Sequence, residues 1–183
     1  MRRLILLVLG LAAALVLLPT AAVADNATHT YELHMEGPNF GVAANGDRVT
    51  ITGRADFSVN PKSATGSGSF THTSSSGTVR GGGTWRATDL LDYQSYGCGI
   101  VHFPEGDVIL PPNACGGKVK MRVTLTTPLG ELPAIMTVIC IIGPNPPNSA
   151  FGTNRSEGVM LEVPGVINFN QTAGGDNIIF QTS

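Results

Sequence analysis

The chain predicts an all-β fold, an antiparallel meander closing into a β-barrel, with a two-sheet β-sandwich as the alternative. Three observations carry that expectation. Apolar and polar residues alternate with period two over 48–59 and 66–88. Clusters of Gly, Pro, Asn and Ser punctuate the remainder at short intervals, and no stretch beyond residue 24 carries a helical period.

The first 24 residues read as a secretory signal. Met1-Arg2-Arg3 is a positive n-region, Leu4 to Leu18 is apolar, Pro19 breaks the run, and Ala22-Val23-Ala24 supplies the small-x-small cleavage pattern before Asp25. An uncleaved anchor is the competing reading, since a span needs about 20 apolar residues. Removing 24 of the 183 residues leaves 159, enough for a single all-β domain over 25–183 with its own core. Eleven Lys and Arg less Arg2 and Arg3 stand against 13 Asp and Glu, so the mature charge is −4. Scattered single cations leave no electrostatic footprint for nucleic acid, and no basic amphipathic stretch suits a membrane surface. The expected location is therefore extracellular or periplasmic, with no membrane span after cleavage.

After the terminus, Tyr31, Leu33 and Met35 alternate with Glu32, His34 and Glu36 in a first half-buried strand that stops at Gly37-Pro38. Asn45-Gly46 is a turn. Residues 48–59 form the clearest strand, with Val49, Ile51, Gly53, Ala55, Phe57 and Val59 inward. It turns through Asn60-Pro61-Lys62-Ser63 into a hairpin over 66–88 whose tip is Ser74-Ser75-Ser76-Gly77.

With Ser74 opposite Gly77, Phe70 falls opposite Gly81, Gly68 opposite Gly83 and Gly66 opposite Trp85. With Val59 opposite Ala64, Phe57 meets Gly66 and Ile51 meets His72. One face then carries Phe70, His72, Val79, Trp85, Ala87 and a row of glycines. The other carries Ser67, Ser69, Thr71, Arg80, Thr84 and Arg86. Rings lie over bare backbone, which lets neighbouring strands coil. A slip of one residue would bury the Ser and Thr row instead.

Leu90 to Gly97 continues the fourth strand, and Val108-Ile109-Leu110 is a short strand within a Pro- and Gly-rich loop. Val119, Met121, Val123 and Leu125 point inward from the next one. Residues 134–142 are apolar on both faces, so that strand is central or borders the loop carrying Tyr93 and Tyr96. Val159, Leu161 and Val163 mark a late strand, and Ile178-Ile179-Phe180 close the sheet as an edge.

Three cysteines remain after export. Cys98 and Cys115 sit in Gly-rich surroundings and are paired as the expected disulfide, with Cys115–Cys140 as the alternative. Cys140, inside Val138-Ile139-Cys140-Ile141-Ile142, reads otherwise as a small buried hydrophobe. No Cys-x2-Cys or His pair at ligand spacing calls for a metal, and no motif calls for a cofactor. Asn26, Asn154 and Asn170 match the N-glycosylation acceptor.

No family signature names an activity, so the functional reading rests on the inner face. Phe57, Phe70 and Trp85, completed by Tyr93 and Tyr96, would line an apolar cavity left by the glycine rows. The expectation is a non-enzymatic exported protein that binds a small apolar ligand or surface partner, or serves structurally at the cell surface. An exported hydrolase or isomerase with an acid/His site at the barrel mouth is the alternative. It requires Glu32, His34, Asp89, Asp92 or His102 to converge. An adhesion module would require residues 134–142 to be exposed.

Overall fold

A computed structural model of the chain describes residues 28–103, 105–147 and 157–183. The expected signal, its cleavage site and the sequons at Asn26 and Asn154 lie outside these residues. Within them the chain is all-β, and every strand pair is antiparallel. No helix among the described residues is long and apolar enough to cross a membrane.

The strands are β1 (Thr30–Met35), β2 (Asn39–Val42), β3 (Arg48–Val59), β4 (Lys62–Thr73), β5 (Val79–Cys98), β6 (Ile100–Phe103) and β7 (Gly106–Ile109). They continue with β8 (Ala114–Thr127), β9 (Gly130–Cys140), β10 (Gly158–Val163), β11 (Ile167–Phe169), β12 (Gln171–Thr172) and β13 (Asn177–Gln181). A ring of hydrogen bonds runs β1–β3–β4–β5–β8–β13 and returns to β1. Two branches leave it: β9–β10–β11 from β8, and β2–β12 from β3. The branches face one another closely, for a Cβ on Gly41 of β2 would stand 2.6 Å from the Val159 carbonyl of β10. One end of the molecule is thus ring-like and the other sandwich-like.

The odd-even sorting of residues 48–88 holds. Trp85 and Phe57 are buried, at 1% and 3% exposure, while Ser69 and Thr84 face solvent. The pairing differs by two residues from the expected one. Phe57 pairs with Ala64 and Ile51 with Phe70, because the β3–β4 turn is only Asn60-Pro61 and the strands continue to Val59 and Lys62. On the other side Gly68 meets Trp85, Phe70 meets Gly83 and Gly66 meets Ala87. A shift of two preserves every face, so the core composition survives the error in register.

The shift also tightens the fit between rings and glycines. The Trp85 indole lies across Gly68 and Gly53, where a Cβ would stand 2.5 Å from Nε1 and from Cζ2 respectively. Its Nε1–H donates to the Thr52 carbonyl at 2.9 Å. A buried indole therefore keeps its one polar group satisfied.

Parity does break at the start of β5. Thr73 pairs with Val79 but His72 pairs with Gly81, which makes Arg80 the extra residue of a β-bulge. Val79, expected inward, is 65% exposed, and Arg80, expected on the outer face, is turned towards Asp47. The irregular stretch after Thr88 is a continuation of β5, which reaches Cys98 by absorbing three register shifts against β8. Bulges of this kind let a 20-residue strand coil around the core.

Val119, Met121, Val123 and Leu125 are all buried, as their alternation requires. β9 is central, flanked by β8 and β10, which accounts for its two apolar faces. β13 is not an edge. It lies between β1 and β8 and closes the ring, a placement set by partners far away in sequence. Cys98 and Cys115 form the disulfide, directly opposite one another on β5 and β8. Closing that 17-residue separation stabilises by about 3 kcal/mol on loop entropy. Cys140 is free and buried.

Candidate functional site

The ring end is packed with aromatic side chains, and a small pocket of about 290 Å³ there is bordered by Tyr31, Phe57, Glu32 and Asp56. Tyr31 from β1, Phe57 from β3 and Tyr93 from β5 form an aromatic trio with centroid separations of 4.9–5.0 Å. Tyr93 lies over Gly117, where a Cβ would come within 2.5 Å of Cε2, and its hydroxyl donates to the Gly116 carbonyl at 3.3 Å. Burial pushes the Tyr93 phenol far above its ordinary range. Tyr96 is buried at 3% exposure close by in β5.

The opposite end holds a cavity of about 460 Å³. One wall comes from the β3–β4–β5 ribbon (Val49, Phe70, His72, Arg80, Gly81 and Gly82). The facing wall comes from β10 and β11, with Leu161, Val163 and Phe169, while Leu125 and Leu132 of β8 and β9 form a third side. Gly81, an exposed residue of the lining, puts no side chain there, and a Cβ placed on it would meet nothing within 4 Å. The rim is apolar, built from the β8–β9 turn, where Leu129 is wholly exposed, and the β10–β11 turn, where Val166 is 64% exposed.

At one margin of this apolar space stands a polar cluster. Asp47, in the turn before β3, is only 4% exposed. Its Oδ2 sits 2.9 Å from His72 Nε2 and 3.3 Å from Arg80 Nε, and its Oδ1 accepts the Ser75 backbone N–H at 3.1 Å. The Asp47 backbone N–H in turn donates to Asn45 Oδ1. Its carboxyl is held below the ordinary carboxylate range, foremost by the His72 hydrogen bond, with burial opposing and the Ser75 N–H and Arg80 adding to the pull. One carboxylate therefore ties the β2–β3 turn to the β4–β5 turn. It also orients the imidazole, whose ring meets Phe169 edge-on at 5.2 Å.

Phe70 is the one expected ligand-binding aromatic that lines this cavity; Phe57, Trp85, Tyr93 and Tyr96 are not among its lining residues. Two residues at the site escaped sequence reasoning. Asp47 has no local signature beyond the Asn45-Gly46 turn, since its partners are 25 and more residues away. Arg80 follows the outward parity of its strand until the bulge turns it.

The other titratable groups are dispersed. Glu32 and Glu36 flank His34 on β1, at 3.2 Å and 3.4 Å. Asp89 and Asp92 pair across to Arg122 and Lys120 of β8, and His102 Nδ1 meets Asp107 at 2.7 Å within the β6–β7 hairpin. None of these lines the cavity. Among the described residues no group of three or more His, Cys, Asp or Glu is placed to hold a metal ion. Asn170 is exposed between β11 and β12.

A second polar assembly centres on the buried Asn39 and Asn177. Asn177 Nδ2 donates to Asn39 Oδ1 at 2.7 Å and to the Ile139 carbonyl at 3.0 Å. Glu157 accepts the backbone N–H groups of Ile141 and Asn177 at 2.7 Å and 3.3 Å. The Cys140 thiol donates to the Asn177 carbonyl at 3.0 Å. Burial raises both the Cys140 and the Glu157 pKa. These contacts tie β2, the end of β9 and β13 to Glu157, the residue before β10, which marks the assembly as a structural clamp.

Compared with protein-family models, curated proteins and solved structures, the chain matches none.

Proposed function

We propose that the protein is exported and binds a small apolar molecule in the cavity between the β3–β4–β5 ribbon and the β10–β11 branch. The observation that carries the reading is the cavity itself. At about 460 Å³ it falls within the range of small-molecule sites, its walls are aliphatic and aromatic, and polar groups converge at one margin. An enclosed disulfide accords with export into an oxidising compartment. Phe70 and Phe169 would supply the flat contact surfaces, and the exposed Leu129 and Val166 an apolar entrance.

The test uses a neutral apolar fluorophore, N-phenyl-1-naphthylamine, titrated into the protein recovered after export from the full-length chain. Saturable one-to-one uptake is expected, and it should be abolished by Gly81→Trp, a bulky ring introduced at a lining glycine whose added Cβ meets nothing within 4 Å. Absence of saturable uptake, or uptake that the substitution leaves intact, would overturn the assignment.

A further inference from the structure

The polar margin of the cavity has a definite sign and a definite capacity. Among the described residues, Arg80 and His72 are the titratable ones that line the cavity, and no Asp or Glu lines it. Thr127, the remaining polar side chain of the lining, already donates its hydroxyl to the Gly130 carbonyl at 2.9 Å. Polar recognition is therefore confined to the end where His72 and Arg80 meet over Asp47.

Arg80 reaches that end because of the bulge. Without the extra residue between Val79 and Gly81 it would share the outer face with Thr84 and Arg86. Its contact with Asp47 is made through Nε, at 3.3 Å. The side chain is 58% exposed, which leaves the terminal nitrogens of the guanidinium open to approach. Asp47 does not depend on Arg80 alone, since His72 and the Ser75 N–H already occupy both of its oxygens. The guanidinium is thus anchored at its neck and open at its fork, the geometry that receives a carboxylate through two parallel N–H donors.

We propose, building on the ligand-binding reading above, that the ligand is an amphipathic acid: a single apolar body seated among Val49, Phe70, Leu161 and Phe169, and one anionic head on the Arg80 fork. A cationic head would meet the arginine charge at close range. A second polar group deeper in the pocket would lose its water with no side chain to replace it.

Matched twelve-carbon probes test this, with dodecanoate, dodecanol and dodecylamine each displacing N-phenyl-1-naphthylamine from the wild type, Arg80→Gln and Arg86→Gln. Arg86 is an exposed arginine of the same strand, on the outer face, so its substitution removes equal charge away from the cavity. Dodecanoate should displace the probe at about tenfold lower concentration than dodecanol, with the amine weakest. Arg80→Gln should erase that preference and Arg86→Gln should keep it. Equal displacement by acid and alcohol, or a preference that survives Arg80→Gln, would overturn the acidic-head proposal while leaving apolar ligand binding in place. Failure of the fluorophore itself to bind would instead remove the ligand-binding reading on which the proposal rests.

Discussion

The two ends of the molecule use the same ingredients, rings and glycines on one face of neighbouring strands, yet at one end the rings lie on the bare backbone and at the other they frame the larger, 460 Å³ cavity. At the ring end rings cover three of the glycines: Gly53 and Gly68 by Trp85, Gly117 by Tyr93. At the branched end Gly81 has open space in front of it, and the rings nearby, Phe70 and Phe169, stand around the space without filling it. Glycine content alone therefore says nothing about vacancy. What matters is whether a ring is paired across from the bare backbone or stands beyond its reach.

The sharpest way to break this comparison is at Trp85. Replacing a buried indole by Ala should cost about 3–5 kcal/mol, since it removes the cover of two glycines at once. The hydrogen bond to the Thr52 carbonyl goes with it. Urea unfolding of Trp85→Ala measures this, and a loss under about 1 kcal/mol would mean that the ring end does not depend on that cover.

A smaller effect separates the two kinds of glycine directly. Gly68→Ala drives a methyl against the Thr52 carbonyl and the Trp85 ring, so about 1–3 kcal/mol should be lost to overpacking. Gly81→Ala meets no atom within 4 Å and should change stability by no more than about 0.5 kcal/mol. Equal losses at the two positions would erase the distinction between the ends.

The smallest effect is in pH. Asp47 at the cavity end has its pKa lowered from 3.8 by its partners, whereas Glu157 in the structural clamp has its pKa raised from 4.5 by burial. The stability that Asp47 contributes is present above its unfolded-state pKa and is lost as pH falls through the lower folded value. Glu157 has the opposite sign: its contribution is full below its unfolded value and is lost as pH rises through the folded one. The gap in urea midpoint between wild type and Asp47→Asn should therefore be open at about pH 6 and should narrow towards about pH 2.5. A gap that stays constant across that range would show that Asp47 is not held by charge.

Much of this comparison is legible in the amino-acid sequence, and the reasons the rest is not are physical. Faces were readable because period-two sorting is local: Trp85, Phe57, Ser69 and Thr84 each lie on the expected side. The pairing of rows was not, because it depends on turn length, and a two-residue turn at Asn60-Pro61 slides every partner without changing any face. Arg80 was placed on the wrong side because a bulge leaves no mark in an alternation read from one strand. Asp47 could not be singled out because what makes it special arrives from β4, from the following turn and from β5. The pairing of Cys98 with Cys115 was readable from their shared Gly-rich context. The burial of Cys140 was equally plain from its apolar neighbours.

β13 gives the architecture a temporal character as well. Tyr31 finds its partner in Gln181 and Leu33 in Ile179, so the earliest ribbon of the circle stays half-paired until the polypeptide has been made through to residue 181. Cys115 and Ala114 of β8 likewise find Ile179 and Phe180 there, so a chain that stops short of residues 177–181 leaves the circle open between its first ribbon and β8.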